Sequence, residues 1–123
     1  MAVQSYRDLR VWQSGMEIAE GVYRLCDQFP KHQQYALVSQ MHRCSASIPS
    51  NLAEGHARDS TKDFLRHISI VQGSRAELET QLELAVRLEY CAGDDAIALR
   101  QKLDELGRML TALQKSLRAK LAP

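Results

Sequence analysis

The sequence predicts an all-α protein, an antiparallel up-down four-helix bundle, and three observations lead there. Leu and Ala supply 16 and 14 residues, against 14 for Val, Ile and Thr together. Leu and Ala lose little rotamer freedom in a helix, whereas β-branched residues lose more. Six Gly and three Pro in 123 residues leave few natural breaks. Apolar residues also recur at alternating spacings of three and four through four segments joined by short connections, the pattern of bundle helices. The chain reads as a single four-helix-bundle domain, residues 1–123, with one core.

The first helix is expected from about Asp8 to Gln28, with Ser5 three residues ahead as a capping hydroxyl. Leu9, Trp12, Met16, Ala19, Tyr23 and Cys26 form its seam, and Val11, Ile18, Val22, Leu25 and Phe29 widen the stripe on one flank. Phe29-Pro30 ends it, because a residue before proline is pushed out of the helical region. The second helix is expected over Lys31 to Arg58, on a seam of Val38, Met41, Ser45, Ile48 and Leu52. Pro49 inside it deletes one backbone hydrogen bond and predicts a kink. The third helix starts at Ser60 or Thr61, where Ser60 and Asp63 repeat the capping spacing, and runs to about Cys91. Gly93 is the expected stop, and Asp94-Asp95 suit the positive N-terminal end of the fourth helix. The fourth helix carries Leu99, Leu103, Leu106, Leu110, Leu113 and Leu117, the cleanest seam in the chain.

Several function classes find no support. No apolar run approaches the ~20 residues of a membrane span. Charges at Arg7, Asp8 and Arg10, without an apolar stretch, exclude a signal-peptide pattern, and three widely spaced cysteines do not make a disulfide framework. A cytoplasmic protein is expected. The four histidines have neither Glu-x-x-His nor His-x-x-x-His spacing, so no metal site is expected. There is no phosphate-cradling Gly-rich loop and no nucleophile elbow, so neither a catalytic residue nor a cofactor is assigned.

Two patterns remain. On the second helix Gln40, Arg43, Ser47, Asn51 and Glu54 share one face, and on the third His67, Ser74, Glu77 and Gln81 share another. These stripes read as a solvated face, as a polar network in the core or at a subunit contact, or as a catalytic cluster around Glu54, His56, Arg58 and Glu77. The second pattern is charge. In an antiparallel bundle one pole collects Arg7, Arg10, Arg58, Lys62, Arg66, Lys115, Arg118 and Lys120 against four acids, a net of +4. The opposite pole carries eleven acids against five cations, a net of −6. A chain of formal charge +1 therefore forms a polarised rod. Its basic pole suits phosphates, and Arg7, Arg10, Arg58, Lys62, Arg66, Lys115 and Arg118 are the candidate contacts.

The strings Asp8-Leu9-Arg10-Val11-Trp12-Gln13, Phe29-Pro30 and Ser47-Ile48-Pro49-Ser50-Asn51-Leu52-Ala53-Glu54-Gly55 resemble the four-helix-bundle family encoded in 23S rRNA intervening sequences. Gly73-Ser74 and Glu77-Leu78-Glu79-Thr80 continue the likeness, which covers essentially the whole chain. The resemblance implies an antiparallel bundle and a homopentameric ring. It extends to accessory proteins of diversity-generating retroelements, which act with a reverse transcriptase and RNA; those relatives are notably basic, and this chain is not. On this basis Gln40, Arg43, Ser47, Asn51, Glu54, Ser74 and Glu77 are expected to be core or assembly determinants. The expected function is a non-enzymatic oligomer that binds RNA or DNA backbone or scaffolds a nucleic-acid enzyme. The alternative is a protein-only adapter that docks a partner.

Overall fold

The computed structural model describes residues 5–121. Four long helices make up the fold: α1 (Arg10–Cys26), α2 (Leu37–Ala57), α3 (Thr61–Arg87) and α4 (Gly93–Leu121). Each packs on its chain neighbours and α4 closes on α1, while among the described residues no diagonal pair brings its backbones within 8 Å. Leu9, the Arg58–Thr61 turn, Leu117 and Lys120 border one cavity, so the start of α1, the α2–α3 turn and the end of α4 share a pole. At the other pole the Gln28 side chain donates to Asp95 Oδ2 at 2.8 Å and accepts from the Ala92 amide at 3.0 Å. These two ends give the up-down arrangement its direction.

One apolar core runs the length of the bundle. Leu99, Leu103, Leu106, Leu110 and Leu117 of α4 are buried and Leu113 is half-buried, as the leucine spacing predicts. On α1 the core stripe is Val11, Gly15, Ile18, Val22 and Leu25, continued by Phe29. This corrects the expected seam: Met16 and Tyr23 are each 45% exposed, and the flank residues hold the core. The reason lies at Gly15. A Cβ there would sit 3.1 Å from Ile48 Cγ2 and 3.5 Å from the Pro49 nitrogen, so the missing side chain lets α1 rest on α2. Helix α2 remains one α-helix across Pro49.

The helix ends differ from expectation in four places. Ser5 does cap, accepting from the Arg7 amide, but it caps a 3-10 turn at Tyr6–Asp8 before Leu9 turns extended and α1 begins. Residues 31–36 place no buried side chain in the core, so that stretch forms a 3-10 turn and α2 starts only at Leu37, the first core residue. Ser60 caps α3 through the Asp63 amide at 3.2 Å, as the spacing predicts. However, α3 stops at Arg87 rather than near Cys91, and Gly93 opens α4 instead of closing α3. Glu89 adopts φ 59°, the Glu89 amide donates to Val86 O and the Tyr90 amide to Ala85 O. That is a Schellman closure with Glu where Gly is usual. Tyr90 anchors it, its ring 5.6 Å from Phe29 and 6.4 Å from His32.

Candidate functional site

The two polar stripes meet across the α2–α3 interface. Ser47 Oγ lies 2.8 Å from Ser74 Oγ and 2.6 Å from Cys44 O, the Cys44 thiol reaches Ser74 O at 3.2 Å, and Asn51 Nδ2 donates to Ser47 O at 2.8 Å. Small side chains allow this: Ser and Cys bring the helices close and supply the hydrogen bonds that a buried interface requires. Burial, with the Glu77 carboxylate alongside, pushes the Cys44 thiol up to about 12. It therefore stays a thiol at neutral pH and acts as a packer and weak donor rather than a nucleophile. Burial likewise raises Cys26 to about 11, with Asp27 contributing.

Toward the basic pole the seam ends at Glu54 and His67. His67 Nδ1 is 2.8 Å from Asp63 O, which can only accept, so Nδ1 donates there. Nε2 then faces Glu54 Oε1 at 3.7 Å. The Arg58 guanidinium, bonded to Glu54 at 3.0 Å, holds that exposed carboxyl below its ordinary value, and His67 adds to the effect. Gly55 makes room here: a Cβ on it would lie 2.6 Å from His67 Cβ.

Beyond this lies a cavity of about 500 Å³ at the pole. Leu9, Phe64, Leu113 and Leu117 form its apolar floor, and His56, Arg58, Asp59 and Lys120 stand at its rim with Ser60 and Thr61 at the start of α3. His56 packs edge-on against Phe64 at 5.7 Å between ring centroids.

The predicted phosphate contacts do not gather in one place. Arg58 lines the polar cavity. Arg7 lies over the Tyr6 and Trp12 rings at 5.5 and 5.6 Å, a cation–π contact. Arg10 lines the α1–α4 side with Lys102 and Glu17, and Lys115 lines the α3–α4 side with Arg75 and Arg108. Lys62, Arg66 and Arg118 are exposed, with Arg66 3.9 Å from Asp63. Of the polar stripes, Ser47, Asn51 and Ser74 are half-buried in the seam, Glu54 joins its end, and Gln40 and Arg43 are exposed. Glu77 is bonded to Gln81 and neighbours Cys44, ten residues and about 15 Å along α3 from His67. The cluster of Glu54, His56, Arg58 and Glu77 is therefore not assembled.

Lys120 adds to the charge of the pole in the sequence but is not among the candidate contacts, and the structure places it at the cavity. Nor does the sequence pattern assign a role to Arg75 or Arg108. Seven-residue spacing from Arg108 to Lys115 was the available signal. Among the described residues no group of His, Cys, Asp and Glu could hold a metal ion, and no helix is long and apolar enough to cross a membrane.

No curated protein matches the chain. Among solved structures it is similar to a protein with unknown function from the S23 ribosomal protein family of Bacteroides thetaiotaomicron VPI-5482. The two share 24% identity at a TM-score of 0.79, over 85% of this chain and 98% of that one, which establishes a shared fold. Residues 7–112 match the family model described as 23S rRNA-intervening sequence protein. That span takes in the Ser47–Gly55 string, the seam it builds against α3, the first three helices and α4 as far as Ala112: the chain belongs to the 23S rRNA-intervening sequence protein family.

Proposed function

We propose that this protein is a non-enzymatic, ring-forming cytoplasmic bundle whose basic pole binds the phosphate backbone of structured RNA or DNA, or holds a nucleic-acid enzyme to it. The observation that carries this reading is that Arg58, which is paired with Glu54, and Lys120 border the cavity at the pole together with His56 and Asp59, beside the N-terminal end of α3. Helix N-termini and clustered cations both favour anions. Exposed apolar side chains on the outside of α1, Met16 and Tyr23, support self-association. The homopentameric state comes from the family resemblance. A ring would repeat the basic pole once per subunit, and repetition converts weak phosphate contacts into avidity.

The test uses the sized oligomer and a fluorescein-labelled RNA hairpin, followed by anisotropy between about 50 and 200 mM salt. Log affinity is expected to fall linearly with log salt, by roughly 0.9 per phosphate for a duplex. Reversing Arg58, Lys62 and Arg66 to Glu is expected to weaken binding with little change in the unfolding midpoint. Equal binding by the reversed protein would sink the assignment.

A second reading has its own observation. Leu84 and Leu88, one turn apart at the end of α3, and Ile97 on α4 are 45–52% exposed, in stretches that also carry Glu83, Glu89 and Asp94. A protein partner docked there would make the molecule an adapter, and a pull-down that survives nuclease and high salt would favour it.

A further inference from the structure

The α3–α4 side holds a groove of about 500 Å³ lined by Arg75, Asp104, Gly107, Arg108, Thr111 and Lys115, among others. Its floor is unusual. The Arg75 guanidinium lies across the α4 backbone at Gly107, where a Cβ would come within 2.7 Å of Cζ and 2.9 Å of Nε. Arg75 is held in place from two sides: Nε donates to Gln72 Oε1 at 3.0 Å and Nη1 to Glu79 Oε1 at 2.8 Å. Gln72 is in turn bonded to the buried Gln114 at 3.4 Å, which ties the arrangement to α4. Among the described residues no acceptor is bonded to Arg75 Nη2. The fork is thus oriented before any ligand arrives, and a preorganised guanidinium loses less entropy on binding an oxyanion.

The rim completes an anion-binding set. Arg108 and Lys115 lie seven residues apart on α4, two turns and about 10.5 Å along one face. Thr111 stands between them, its hydroxyl donating to Gly107 O at 2.9 Å. With Arg75 paired to Glu79, the Arg108 and Lys115 cations face one rim carboxylate, Asp104. The Arg75 Nη2 group offers an oriented, charge-assisted donor to an oxyanion, and Arg108 and Lys115 add charge from the rim.

We infer that the α3–α4 groove is a phosphate-binding site, with Arg75 Nη2 as the fixed donor and Arg108 and Lys115 as the rim cations. This rests on the phosphate-binding reading above and assigns it a second contact line, away from the pole. The phosphate could belong to a nucleic-acid backbone or to a free nucleotide, and the experiment separates these sources.

Two variants are compared with the parent protein: Arg108→Ala with Lys115→Ala, and the pole reversal of Arg58, Lys62 and Arg66 to Glu. Both mutated groove residues are exposed, and circular dichroism melting checks that the fold holds. The probes are the labelled RNA hairpin by anisotropy and ATP by titration calorimetry. The groove double variant is expected to lose about tenfold in RNA affinity and to shallow the salt slope by about 2, one per phosphate contact removed. Loss of ATP affinity together with RNA, or ATP alone, would keep the groove and identify free nucleotide as a ligand. Loss confined to RNA would identify the backbone. If the groove variant binds both probes as the parent does, or the parent binds neither, the groove assignment is overturned. Where the parent binds RNA and only the pole reversal weakens it, the pole reading stands. The converse pattern keeps the groove and removes the pole.

Discussion

Helix α3 meets its two neighbours in opposite ways, and a glycine marks each contact. Against α2 the approach is between backbones: Gly55 faces His67 Cβ, and Ser47, Ser74 and Cys44 close the rest of the seam with short hydrogen bonds. Against α4 the glycine is a notch. Gly107 receives the far end of a long side chain, the Arg75 guanidinium, and an open groove continues beside it. A rigid contact fixes helix spacing, whereas a notch filled by a flexible charged chain leaves a surface that a ligand can use. The same residue type thus serves packing on one face and presentation of charge on the other.

The same substitution at both glycines breaks this comparison most directly. Gly55→Ala is expected to destabilise by about 1–3 kcal/mol, because His67 Cβ and the Phe64 ring at 3.1 Å cannot yield without moving α3. A fall in the urea midpoint at constant slope would register it, and an unchanged midpoint would mean that α2 and α3 are not held as close as described. An intermediate effect of opposite sign is expected at the α3–α4 turn. Glu89→Gly removes the left-handed strain of a side-chain-bearing residue at φ 59° and should stabilise by about 0.5–1 kcal/mol, less the added unfolded-state entropy. Thermal melting checks the sign, and destabilisation would assign Glu89 a stabilising contact that outweighs its backbone strain. The smallest change belongs to Gly107→Ala. Helix propensity gains about 1 kcal/mol while Arg75 swings aside and gives up its half-buried pair with Glu79. The melting point should stay within the equivalent of about 0.5 kcal/mol, and a drop as large as that of Gly55→Ala would erase the distinction between the two faces.

How much was legible beforehand differs by element. Helix α4 has one leucine stripe, so its core face follows from spacing alone. Helix α1 has two overlapping stripes at the same three-four spacing, and both satisfy the pattern equally. The choice between them rests on Gly15, which no hydrophobicity count scores and which matters only once Ile48 and Pro49 are opposite it. The end of α3 was misplaced for a related reason. Gly93 is the natural local stop, but Tyr90 packs on Phe29 and draws the turn to Glu89. For the candidate sites, the spacing of Ser47, Asn51, Ser74 and Glu77 placed each on a helix face. It did not reveal that Ser47 and Ser74 bond one another across two helices, nor that Glu77 lies apart from Glu54. Arg75 was passed over because its importance depends on the notch at Gly107, on another helix.

By itself the sequence determined the all-α class, four helices and the cap at Ser60. These depend on propensity, periodicity and composition, which act over a few residues and are written locally. Tertiary structure alone decided which stripe of α1 is buried, where α3 turns, and how the cations divide between the pole, the α1–α4 side and the α3–α4 groove. Each of those outcomes depends on the distance between side chains far apart in the chain, and that distance exists only when the helices are packed.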